Sequence, residues 1–136
     1  MSAKKRITLI LCLTLCLIVV VILNALNPTQ SINAMTADNV SQISVELVPP
    51  NETILLQGEQ VDTMLDLIHD LKPGHPTVRL GVSGQTVTIT VLNSRGTQLT
   101  VIPEGSYVKI NGIFYTASSE ECEALNDFAN SLLEAS

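Results

Sequence analysis

Few side chains in this 136-residue chain have types and spacing suited to chemistry. Beyond an apolar N-terminal block there is one thiol, Cys122, and both histidines, His69 and His75, fall in one short stretch. A catalytic thiol needs a base within hydrogen-bond reach and a third group to orient that base. Cys122 lies in the first turn of an expected helix, a position that can lower a thiol's pKa. Three neighbouring glutamates, Glu120, Glu121 and Glu123, oppose the thiolate, and helical periodicity turns Cys122 toward the core. It therefore reads as a buried, inert cysteine. Asp66, His69 and Asp70 share a helical face with His75 close behind, a set of ligand types that suits a divalent ion. Their spacing is loose and no supporting shell is visible, so they read as a solvated acidic face. No Gly-x-Ser-x-Gly, His-Glu-x-x-His, phosphate loop or dinucleotide fingerprint occurs. No catalytic residue, cofactor or metal is expected.

A third group of residues suits binding better than catalysis. Thr77, Arg79, Thr86, Thr88, Thr90, Thr100, Lys109, Phe114 and Thr116 all project to one side of a sheet in the strand register set out below. Threonine is a soluble strand former and needs no further reason to be there. The functional reading is a flat docking surface, with Phe114 as apolar contact and Arg79 and Lys109 as charge anchors. The expected interaction face is Arg79, Thr88, Thr90, Thr100, Lys109 and Phe114.

The elements that must position these residues are legible from period and punctuation. Ile43, Val45 and Leu47 alternate with Ser44 and Glu46 as a half-buried strand, Pro49-Pro50-Asn51 turns the chain, and Thr53–Leu56 forms a second strand. Over residues 59–71, Val61, Met64, Leu65, Leu67, Ile68 and Leu71 fall on one helical arc, and Lys72-Pro73-Gly74 ends it. Thr77–Val82 and Gln85–Leu92 flank Ser83-Gly84 as a hairpin, pairing Leu80 with Val87, Val78 with Ile89 and Arg79 with Thr88. Thr97–Ile102 follows a three-residue loop ending in Gly96, which sets Thr90 opposite Thr100. Tyr107–Ile110 and Ile113–Ala117 flank Asn111-Gly112, the strongest hairpin signal in the chain. Ser118 and Glu121 form a capping-box pattern at the start of a last helix, expected to run to Leu133. The order β-β-α-β-β-β-β-α indicates an α+β fold, a two-layer sandwich of antiparallel sheet with two helices on one face.

An apolar run precedes this domain. Ile7 to Leu26 is interrupted only by Thr8, Thr14 and Asn24, and twenty residues at about 1.5 Å each match a bilayer's hydrocarbon core. Cys12 and Cys16 sit four apart on one face but lack a lipobox around them. The run is long for a signal peptide, and the only small-residue cleavage candidate, after Ala34, lies well past its end. An uncleaved signal anchor is expected. Lys4, Lys5 and Arg6 precede it and the next charge, Asp38, is acidic, so the positive-inside rule exports everything after the span. The expected organisation is a cytoplasmic start at 1–6, a transmembrane anchor at 7–26, a linker at 27–40 and an extracytoplasmic domain at 41–136.

Charge and cysteine content exclude several classes. The whole chain carries a net charge of −6, and after the span only four basic residues face all 13 acids. That is the wrong sign for a phosphate-tracking protein, so no nucleic-acid partner is expected. One exported cysteine allows no internal disulfide, and stability must come from the core. The short basic start, the single span and the stretch Gly105-Ser-Tyr-Val-Lys-Ile-Asn-Gly-Ile-Phe-Tyr115 before a capped terminal helix resemble the small membrane-anchored extracytoplasmic proteins of Gram-positive bacteria. Such proteins have no agreed catalytic residues, so the resemblance implies location and plan and assigns no site. The expected function is a membrane-anchored, non-catalytic interaction or sensing module, with a protein or cell-envelope partner on the sheet face. The alternative is a small extracytoplasmic enzyme or metal-binding protein using Cys122 or the His69/His75 cluster.

Overall fold

Apolar residues at every second position decide most of this structure. The computed structural model describes residues 2–25, 27–81 and 84–135. Helix α1 (Ala3–Ala25) and a short α2 (Pro28–Asn33) precede strands β1 (Val40–Val48) and β2 (Glu52–Leu55). Then come α3 (Glu59–Asp70), β3 (Pro76–Thr77), β4 (Thr86–Asn93), β5 (Gln98–Glu104), β6 (Tyr107–Ile110), β7 (Ile113–Thr116) and α4 (Ser119–Ala135). The strands form one antiparallel sheet in the order β2-β1-β4-β5-β6-β7-β3. The fold is α+β, and the five strands between α3 and α4 equal in number the five strand ranges expected there, which the order written above counts as four.

The core lies on one side of that sheet. Ile43, Val45 and Leu47 of β1, Val87, Ile89 and Val91 of β4, and Leu99 and Val101 of β5 are buried with Met64, Leu65 and Ile68 of α3 and Leu125, Ala129 and Leu132 of α4. Period two on the strands and period 3.6 on the helices meet there, as patterning requires. The hairpins after β4 follow the expected register, with Ile89 opposite Val101, Val91 opposite Leu99 and Thr90 opposite Thr100. Asn93 closes the β4–β5 turn, its buried Oδ1 accepting from the N–H groups of Arg95 (3.0 Å) and Thr97 (2.9 Å). Asn111 (φ 50°) and Gly112 (φ 89°) take the left-handed conformations that a two-residue hairpin demands.

Two expectations differ from the structure. The hairpin between 77–82 and 85–92 does not form: Val87 pairs with Leu47 and Ile89 with Val45, both in β1, and Thr88 faces Glu46 instead of Arg79. Pro76–Thr77 instead pairs with β7 at the far edge, and Val78 and Leu80 are 84% and 91% exposed. Val82 and Ser83 of that expected hairpin lie outside the described residues. The physical reason is competition for a central strand. β1 offers nine residues with three fully buried apolar positions, and it covers nearly the whole of β4.

The second difference is the stretch expected as a linker at 27–40. Asn27 caps α2 by accepting the Gln30 N–H at 3.1 Å, and Ile32 and Met35 are both buried in the core. The Met35 carbonyl accepts from His69 Nε2 at 2.7 Å, and Asn39 ties its own turn by donating to the Ala34 carbonyl and accepting from the Thr36 N–H. Polar, aperiodic sequence hid two core residues. The packed domain thus starts at α2, ahead of position 41.

Candidate interaction surface

On the side of the sheet away from α3 and α4, strand pairing builds two rows. Leu55, Ser44, Thr90 and Thr100 stand side by side across β2, β1, β4 and β5. Ile102, Lys109, Phe114 and Thr77 do the same across β5, β6, β7 and β3, while Thr53, Glu46 and Thr88 make a matching line on the other half. Cross-strand neighbours on one face support each other, and β-branched Thr suits that pleated surface. Thr88, Thr90, Thr100, Lys109 and Phe114 therefore share a face, as expected, and all five are half-buried.

Arg79 reaches this face by another route. It follows the edge strand β3 and lays its guanidinium over the Tyr107 ring, 4.7 Å from the centroid. Its Nε stands 3.6 Å from Glu104, whose side chain is 9% exposed against 32% for Arg79. The buried Glu104 oxygen accepts no hydrogen bond, so the Arg79 cation is what offsets its burial. Lys109 also has an internal contact, with Nζ 5.3 Å from the centre of the Phe114 ring. Arg79 is thus tied down as part of the fold, and Phe114 is partly roofed by Lys109. Thr116 is committed to the β3 edge, where its hydroxyl accepts from the His75 N–H at 3.1 Å and its carbonyl accepts from the Gly74 N–H at 2.8 Å. A Cβ at Gly74 would collide with the Thr116 side chain, which accounts for glycine there.

The residues with chemical potential sit apart from this face and from one another. Cys122 is fully buried and donates to the Tyr107 carbonyl at 3.4 Å. Burial pushes its pKa up and the Glu121 charge adds to that, while a backbone hydrogen bond at Glu104 acts in the opposite direction. Cys122 is thus disfavoured as a thiolate. His69 spends Nε2 on the Met35 carbonyl, and His75 is exposed at the sheet edge. Among the described residues, no three of the His, Cys, Asp and Glu side chains converge as metal ligands would. Glu121, expected to box the cap of α4, reaches the Lys72 backbone N–H at 3.4 Å.

Two clefts lie off the sheet face. One of about 400 Å³ opens between α3 and the start of α4, lined by Asp70, Lys72, Ser118, Glu120 and Glu121. One of about 280 Å³ lies between α2 and the strand ends at Thr97–Leu99 and Asn111. Neither holds Cys122 or a histidine. Glu104 and Asn93 are the structurally decisive polar residues that sequence reasoning missed. Alternation along β5 places Glu104 on the face of Thr100, but nothing in that pattern shows Arg79 closing over it. α1 is long and apolar enough to cross a membrane, and no part of its span is covered by the domain. No family model matches this chain, and neither a curated protein nor a solved structure shows significant similarity to it.

Proposed function

We propose that this chain is a membrane-anchored extracytoplasmic module that works by binding, with the location and plan of the small anchored proteins of Gram-positive bacteria it resembles. Its contact surface is the helix-free face around Thr88, Thr90, Thr100, Lys109 and Phe114. The observation that carries this reading is the continuous row Ser44–Thr90–Thr100 beside the Lys109–Phe114 pair, on strands held rigid by the core beneath. Threonines with few rotamers lose little entropy on docking, and the Lys109 cation next to the Phe114 ring provides a charged and an apolar contact together. The partner is a protein or a cell-envelope polymer with an anionic group for Lys109. Arg79 acts as a brace for that face.

The test is photo-crosslinking in intact membranes, with a photoreactive residue placed at Thr90 or Thr100 and, as control, at Glu123 on α4. A discrete adduct from the sheet positions, absent from Glu123 and weakened by Lys109→Glu, supports the reading. Adducts only from Glu123 place binding on the helical layer and overturn it. Loss of function on Cys122→Ser in a normally folded protein would transfer the case to catalysis.

A further inference from the structure

We infer that one end of the domain rests on the lipid headgroups: α2, the β4–β5 turn with Arg95 and the β6–β7 turn together form a membrane-facing surface. The inference rests on the anchored reading of α1. α1 runs to Ala25 and α2 begins at Pro28, so only Leu26 and Asn27 separate a span-length apolar helix from a helix packed into the domain. Three Cα–Cα steps of about 3.8 Å allow a reach of roughly 11 Å at most. A domain whose second helix is held by buried Ile32 and Met35 cannot stand off farther than that.

The topology decides which surface is presented. β1 starts and β4 ends at the same end of the sheet, where Val40 pairs with Asn93, and the Asn39 carbonyl accepts from the Ser94 N–H at 2.7 Å. The β6–β7 turn at Asn111-Gly112 opens toward that end as well, and the cleft lined by Gln30, Ser31, Gln98 and Asn111 joins it to α2. Thr29, Gln30 and Asn33 of α2, with Ser94 and Asn111, are neutral, and Arg95 is the exposed cation of its turn. The acid on the loop that follows α2 is Asp38. Neutral hydrogen-bonding groups and a single arginine suit the headgroup layer, where phosphates accept from both. β4, with eight residues, carries the opposite end of the sheet, at Glu104–Tyr107, roughly 20–25 Å farther out. The Thr90–Thr100 face then stands sideways to the membrane and open to a partner.

The experiment uses the full-length chain in phosphatidylglycerol vesicles that contain a phospholipid with a photoreactive headgroup, with adducts mapped by mass spectrometry. Adducts are expected at residues 28–34, 94–97 and 111–112, exceeding those at 104–106 by about tenfold, with Arg95→Glu cutting the yield at 94–97 several-fold. Arg95 is exposed, so its replacement leaves the fold intact, which a circular dichroism melt checks. Equal labelling of both ends in a chain that resists alkaline carbonate overturns this inference alone. Release of the chain by carbonate overturns the anchor and this inference together. An unchanged yield with Arg95→Glu removes Arg95 from the contact.

Discussion

Arg79 and Glu104 illustrate how little a charge's sequence position says about its freedom. An exposed cation can be exchanged with almost no effect on stability, but a cation that offsets a buried carboxylate cannot. Arg79→Met should lower stability by about 1–3 kcal/mol, a range reduced because the arginine is partly exposed, whereas Lys109→Met should stay within about 0.5 kcal/mol. Urea melts of the two variants check the contrast; equal stability would mean that Glu104 is satisfied by water. Burial raises the pKa of both Cys122 and Tyr115, so both bear on stability at alkaline pH. For an acid whose folded pKa is raised, the unfolded chain releases its proton first. The stabilisation is complete below the unfolded pKa and is lost as pH rises. Stability should therefore fall above about pH 9 as the thiol titrates and again above about 10 with the phenol, and Cys122→Ser should remove the first step. Denaturation midpoints between pH 7 and 11 follow this directly.

At the scale of elements, α2 and β3 are the two that a pattern reading handles poorly. α2 has six residues and one buried apolar side chain, too few for periodicity to be detectable. β3 has two residues and is defined by its neighbour: Pro76 faces Tyr115 and Thr77 faces Phe114. The longer elements carry their own signal. α3 shows its buried stripe at Met64, Leu65 and Ile68, and β4 alternates half-buried and buried residues over its whole length. Because Ile32 is part of the core, Ile32→Ala should cost roughly 2–5 kcal/mol. A domain begun at residue 41 should melt well below one begun at 27, since it also lacks Met35 and the acceptor for His69. Equal melting temperatures for the two would show that α2 contributes nothing. The same packing bears on processing. Cleavage after Ala34 would remove Ile32 from the core and should lower the stability of the domain.

Viewed as a whole molecule, the chain couples an uncovered apolar helix to an acidic domain across two residues. The full-length protein should remain in the membrane pellet after alkaline carbonate, and protease added outside intact cells should digest the domain while sparing α1. A soluble mature form beginning near Met35 would contradict both expectations. The span-length apolar helix, the α+β class, the β4–β5 and β6–β7 hairpins and the faces of α3 and α4 could all be read from residue order. Each depends on a local period or a turn residue acting within about ten positions. Only the tertiary structure decided that β1 pairs with β4, that Ile32 and Met35 enter the core, and that Arg79 closes over Glu104. These are contests between segments far apart in sequence, won by whichever pairing buries the most apolar surface and leaves the fewest charges unpaired. No single stretch of sequence contains the terms of such a comparison.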